Sequence, residues 1–124
     1  MSIHLFYCLN FIELRLKTPG HSVNDQDDFI KQTLLFYAIK DVNLTHLLLD
    51  EYEANPNIED TFGNTPLMNA AEEGYLKVVQ LLLAKEAKVN SVRRKTALHS
   101  CLNSDKCTIE IVELLLQNTD KTTL

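Results

Sequence analysis

The chain of 124 residues is long enough for one domain with a modest core, and it leaves no room for a separate catalytic domain. Lys and Arg number 12 against 17 for Asp and Glu, a formal charge of -5, which excludes a general electrostatic grip on nucleic acid. No stretch approaches the roughly 18 uninterrupted apolar residues of a membrane helix, and Cys8, Cys101 and Cys107 are an odd set without an evident secretory signal, so reduced thiols, no disulfide and a cytoplasmic location are expected.

Residues Met1 to Leu16 are apolar, but no Lys or Arg precedes the run, Glu13 and Arg15 interrupt its end, and no small-x-small cleavage site follows. The segment therefore reads as core. Leu5 to Asn10 resembles Leu35 to Lys40 and Leu98 to Asn103, and Pro19 to Asn24 resembles the turn Glu86 to Asn90. Residues 1–24 are accordingly read as a degenerate, compressed capping half-unit, although Ile12 to Lys17 also alternates with the period of a strand.

Three fuller units follow, at 25–59, 60–90 and 91–118, with a tail at 119–124. Thr33, Thr65 and Thr96 each open a helix, and Leu47–Leu49, Leu81–Leu83 and Leu114–Leu116 each close a second one. In the middle unit Thr65 suits an N-cap and Pro66 the first helical turn, where its missing N–H has no partner to lose. Ala70 and Ala71 are small where neighbours must approach, and Gly74 permits the left-handed exit from the first helix. Leu76, Val79, Leu82 and Leu83 then form the core-facing stripe of the second helix, with Lys77 and Gln80 opposite.

From Asp60 to Asn90 the chain resembles the ankyrin consensus almost throughout, and the resemblance extends more loosely over Asp28 to Gln117. It implies an all-α solenoid of stacked helix–turn–helix repeats with short turn or hairpin fingers. The units depart from the pattern in places. Met68 stands where the family usually has His, so the Thr-to-imidazole bond is expected only between Thr96 and His99. Glu86 replaces the Gly that follows the second helix, where a side chain costs on the order of 1 kcal/mol in the left-handed conformation and is expected to reshape the turn. The first unit lacks the helix-start Pro and both Gly of the pattern and carries Lys31 in its turn. The third has Ala97 for Pro, a shortened turn at Ser91 to Lys95, and extra residues around Asp105 and Lys106.

Chemistry is poorly represented. His4, His21, His46 and His99 share no metal-ligand spacing with a cysteine, Cys101 occupies the position of Ala38 and Ala70, and Cys107 lacks His and Asp partners for catalysis. The run Asn24 to Asp28 lacks the Gly and Glu of a calcium loop, Asn43–Leu44–Thr45 is a chance sequon, and the three glycines cannot build a phosphate-cradling loop. No catalytic residue, metal or cofactor is expected. The resemblance instead implies a non-enzymatic protein-binding module that meets another protein through turn tips and first helices. Its contact positions fall on Thr61, Phe62, Asn64, Glu72 and Glu73 in the middle unit, and on Val92, Arg93, Arg94, Lys95, Asn103 and Ser104 in the third. Two further expectations stand beside this: self-association through an uncapped C-terminal face bearing Ile111 and Leu115, and, as an alternative, a fragment of a longer ankyrin-containing effector or enzyme whose active part lies elsewhere. An array of this kind from a host-associated microbe would work inside a host cell.

Overall fold

The computed structural model describes residues 20, 22–26, 32–89 and 96–122. Six helices run through them: α1 (Leu34–Ala38), α2 (Val42–Asp50), α3 (Pro66–Glu73), α4 (Leu76–Ala84), α5 (Ala97–Leu102) and α6 (Ile109–Thr122). Each unit is a pair, α1 with α2, α3 with α4 and α5 with α6. First helices stack on first helices and second on second, so α3 lies between α1 and α5, and α4 between α2 and α6. This is the all-α solenoid of stacked helix pairs that the resemblance implies.

Stacking requires small residues where first helices meet, and Ala38, Ala70 and Cys101 occupy that row, all buried. Around them Leu35, Leu67, Met68, Val78, Val79, Leu82, Ile111 and Leu115 make one continuous core. Thr45, wholly buried on α2, donates its hydroxyl to the Ala38 carbonyl at 2.7 Å and ties the two helices of the first unit together.

The helix starts follow local chemistry. Thr65 Oγ1 accepts from the Met68 amide at 3.4 Å, and Thr96 Oγ1 accepts from the His99 amide at 3.0 Å while its hydroxyl lies 2.9 Å from His99 Nδ1. The expected imidazole clasp is therefore present at Thr96, where Met68 in the middle unit fills core volume instead. Thr33 is buried, and its hydroxyl has no partner among the described residues. Gly74 (φ +78°) ends α3, with its amide donating to Ala71 and that of Tyr75 to Ala70, the two reversed bonds that close a helix with a left-handed residue.

Three left-handed residues recur with a period of 33: Gly20 (φ 89°), Glu53 (φ 50°) and Glu86 (φ 63°). The turn at Glu86 is not reshaped for want of glycine. The Ala87 amide bonds the Leu82 carbonyl at 3.0 Å, and in the preceding unit the Ala54 amide bonds Leu48 at 2.9 Å, so helix-end bonding and burial of Ala54 and Ala87 override the preference of Glu. A second register sits just after. Asn24 Oδ1 accepts from the Asn55 amide, and Asn57 Oδ1 accepts from the Lys88 amide, each at 2.8 Å and each reaching 31 residues along the chain. These bonds stitch successive units edge to edge.

The second helix of the third unit runs 14 residues to Thr122, well into the stretch expected as a tail, because neither Gly nor Pro follows Leu116 to stop it. Residues 1–19, the greater part of the expected N-terminal half-unit, and Lys31 lie outside the described residues.

Candidate functional site

The middle finger is organised by one carboxylate. Asp60 is buried, and its Oδ1 accepts the amides of Phe62 and Asn64 at 2.9 Å each, while Gln32 Nε2 reaches Oδ2 at 3.3 Å. The Asp60 amide donates to the Asn64 carbonyl at 2.9 Å and the Gly63 amide to the Asp60 carbonyl at 3.1 Å, so the turn is closed from both sides. At its tip Phe62 is 59% exposed, with Thr61 exposed beside it. An aromatic ring is thus held to solvent on a backbone that cannot collapse around it.

Four other expected contact residues come together where the middle and third units meet. Ser104 donates its hydroxyl to the Glu72 carbonyl and accepts the Lys106 amide at 3.1 Å, and Lys106 Nζ lies 3.0 Å from Glu73 Oε2. Ser104 and Glu73 are therefore inter-unit fasteners, whereas the side chains of Glu72 and Asn103 stay exposed. The Glu73 carboxylate, bonding to the Lys106 ammonium, holds that amine above the usual lysine range. Val92, Arg93, Arg94 and Lys95 lie outside the described residues.

Spacing from the helix-opening threonines reveals a further position. Tyr37, Asn69 and Ser100 each stand four residues after their threonine, in one row across the first helices, and Tyr37 is 54% exposed. That register was the available signal for Tyr37. Beside this row lies an open cavity of about 440 Å³, lined by Phe36, Ile39, Lys40, Asn69, Glu72, Glu73 and Tyr75.

Two expectations are corrected. Ile111 and Leu115 do not form an open face, since both are fully buried; Leu102 (65%), Ile109 (75%) and Leu116 (47%) are the large apolar residues of the third unit that are exposed. Cys101 and Cys107, expected as separate thiols, are neighbours. The turn between α5 and α6 folds back so that their Cα atoms are 5.2 Å apart and their sulfurs face one another in contact. Cys8, His4 and His21 lie outside the described residues.

Among the described residues no helix is long and apolar enough to cross a membrane. A mouse protein named fem-1 homolog A-like is 35% identical over 71 residues, 56% of this chain and 11% of that protein, so the chain spans about a tenth of its length. The family profile described as ankyrin repeats (3 copies) matches residues 5–93 and 35–124. With the stacked pairs, the Thr96–His99 clasp and the left-handed helix ends already in view, this chain belongs to the ankyrin repeat family.

Proposed function

We propose that the chain binds another protein along the row made by the middle fingertip and the first helices, with Phe62 as the principal anchor and Tyr37, Glu72 and Asn103 as flanking contacts. Ankyrin repeats are in general protein–protein interaction modules and not enzymes. The observation that carries the reading here is the exposure of Phe62 on a finger pinned by Asp60. A rigid aromatic loses little conformational freedom on docking, and such residues dominate interface energetics. The acidic Glu72 beside this row orients a partner carrying basic residues.

The test is affinity purification with mass spectrometry on the wild type and on Phe62→Ala, with folding of both checked by circular dichroism. A partner held by the wild type is expected to be weakened about 30-fold by the substitution, the scale of a 2 kcal/mol hot spot. An Arg94→Glu variant probes the third fingertip in the same experiment. Partners retained at full affinity by both variants refute the surface.

Exposure of Leu102 and Ile109 favours a second reading, self-association through that face of the third unit. Light scattering that finds a monomer at high concentration, unchanged by Ile109→Glu, removes it.

A further inference from the structure

Between Cys101 and Cys107 runs a short turn that grips the second unit through polar contacts. Ser104 bonds the Glu72 carbonyl, Lys106 pairs with Glu73 at 3.0 Å, and the Lys106 carbonyl lies directly over Gly74. Cys101 is buried at the base of this turn on α5, in the row of Ala38 and Ala70, and Cys107 is half-buried at the foot of α6. Their Cα separation of 5.2 Å lies within the span a disulfide bridges. We propose that Cys101 and Cys107 are a reversible dithiol–disulfide pair that clips this turn shut and sets how firmly the third unit is coupled to the second.

The oxidant class is a small-molecule disulfide, with oxidised glutathione as the probe. The more accessible Cys107, as thiolate, attacks one glutathione sulfur, forming a mixed disulfide and expelling one glutathione thiolate. Cys101 then gives its proton to solvent and attacks Cys107 Sγ, expelling the second. Two cysteine thiols lose two electrons, and the glutathione disulfide becomes two thiols. Excess reduced glutathione runs the sequence backwards. In the dithiol state the turn keeps its contacts to Glu72, Glu73 and Gly74 but has no covalent closure, so it opens more often. Any effect on partner binding through Asn103 rests on the surface proposed above; the clip itself does not.

The full chain with Cys8→Ser, so that no third thiol competes, is equilibrated with oxidised or reduced glutathione, blocked with N-ethylmaleimide and digested with trypsin. Cleavage after Lys95, Lys106 and Lys121 places the two cysteines in separate peptides, 96–106 and 107–121. The expected product under oxidising conditions is these peptides joined, from protein that runs as a monomer, and separated again by reduced glutathione. Two fully maleimide-labelled peptides from the oxidised sample overturn the pair. Hydrogen exchange over residues 98–108 and 70–76 reads the coupling: oxidation should slow it on the order of tenfold, the scale for closing a short loop. Equal rates in joined and reduced protein overturn the coupling. Cys101→Ala, which installs the residue of the other two units and so preserves packing, should make exchange indifferent to glutathione; a persistent response refutes the assignment.

Discussion

Substituting Gly74 by Ala separates two costs that usually come together. Gly74 sits at φ +78°, and a Cβ built there collides with the Lys106 carbonyl oxygen, which is backbone and cannot swing aside. Gly20 shares the left-handed conformation at φ +89°, yet its Cβ would meet no atom of the described residues within 4 Å. The left-handed conformation costs alanine about 1–2 kcal/mol, of which about 0.4–1 kcal/mol is returned by restricting the unfolded chain, so Gly20→Ala should destabilise by about 1 kcal/mol. Gly74→Ala carries that same cost and an overpacking cost of about 1–3 kcal/mol besides, because the turn bearing Ser104 and Lys106 must lift away from α3. A total of about 2–4 kcal/mol is expected. Urea unfolding of both variants, followed by helical circular dichroism, measures the difference. If the two lose stability equally, within about 0.5 kcal/mol, the close approach of the third unit to Gly74 is not a determinant of stability and the steric reasoning fails.

The opposite substitutions at the second helix ends should stabilise: Glu53→Gly and Glu86→Gly each relieve a left-handed side chain (φ 50° and 63°) and are expected to raise stability by about 0.5–1 kcal/mol in thermal melts. Asp60→Ala strands the amides of Phe62 and Asn64 and should cost about 2–3 kcal/mol, with hydrogen exchange at both amides rising more than elsewhere. Asp50, bonded by Lys85 and flanked by His46, has its carboxyl held below the ordinary value of 3.8. A depressed carboxyl stabilises fully above that ordinary value and loses its contribution as pH falls through the folded one. The wild type should therefore exceed Asp50→Asn in urea midpoint at about pH 7, and the gap should narrow progressively as pH falls below 3.8.

The architecture was legible because Thr33, Thr65 and Thr96 and the leucine triplets mark both ends of every helix pair, and because Gly74 can do what few residues can. The Thr96–His99 bond followed from the resemblance to the ankyrin motif, which pairs a helix-opening Thr with an imidazole. What remained hidden depends on neighbours. An apolar stripe on a second helix does not say which edge meets the preceding unit, so Ile111 and Leu115 read as an open end while Leu102, Ile109 and Leu116 carry the exposure. The left-handed Glu53 opposes local preference and is imposed by the burial of Ala54 and the bond from Ala54 to Leu48. Cys101 and Cys107 meet only because the turn between them folds back onto Glu72 and Glu73, a contact 32 or 33 residues distant that no local pattern encodes. Of the contact surface, Phe62 was visible as an aromatic in a turn, whereas Tyr37 required the units to be set in register.

The asparagine bonds give the chain interchangeable joints. Asn24 grips the backbone of the first unit as Asn57 grips that of the second, over the same 31-residue reach, so the edge offered to the next unit is chemically the same at both joints. A cut placed after Asn24 and another after Asn57 would leave ends that fit one another. Gene rearrangements that delete or duplicate such a segment therefore preserve the joint, while the fingertips they carry, and the partners those recognise, are reshuffled.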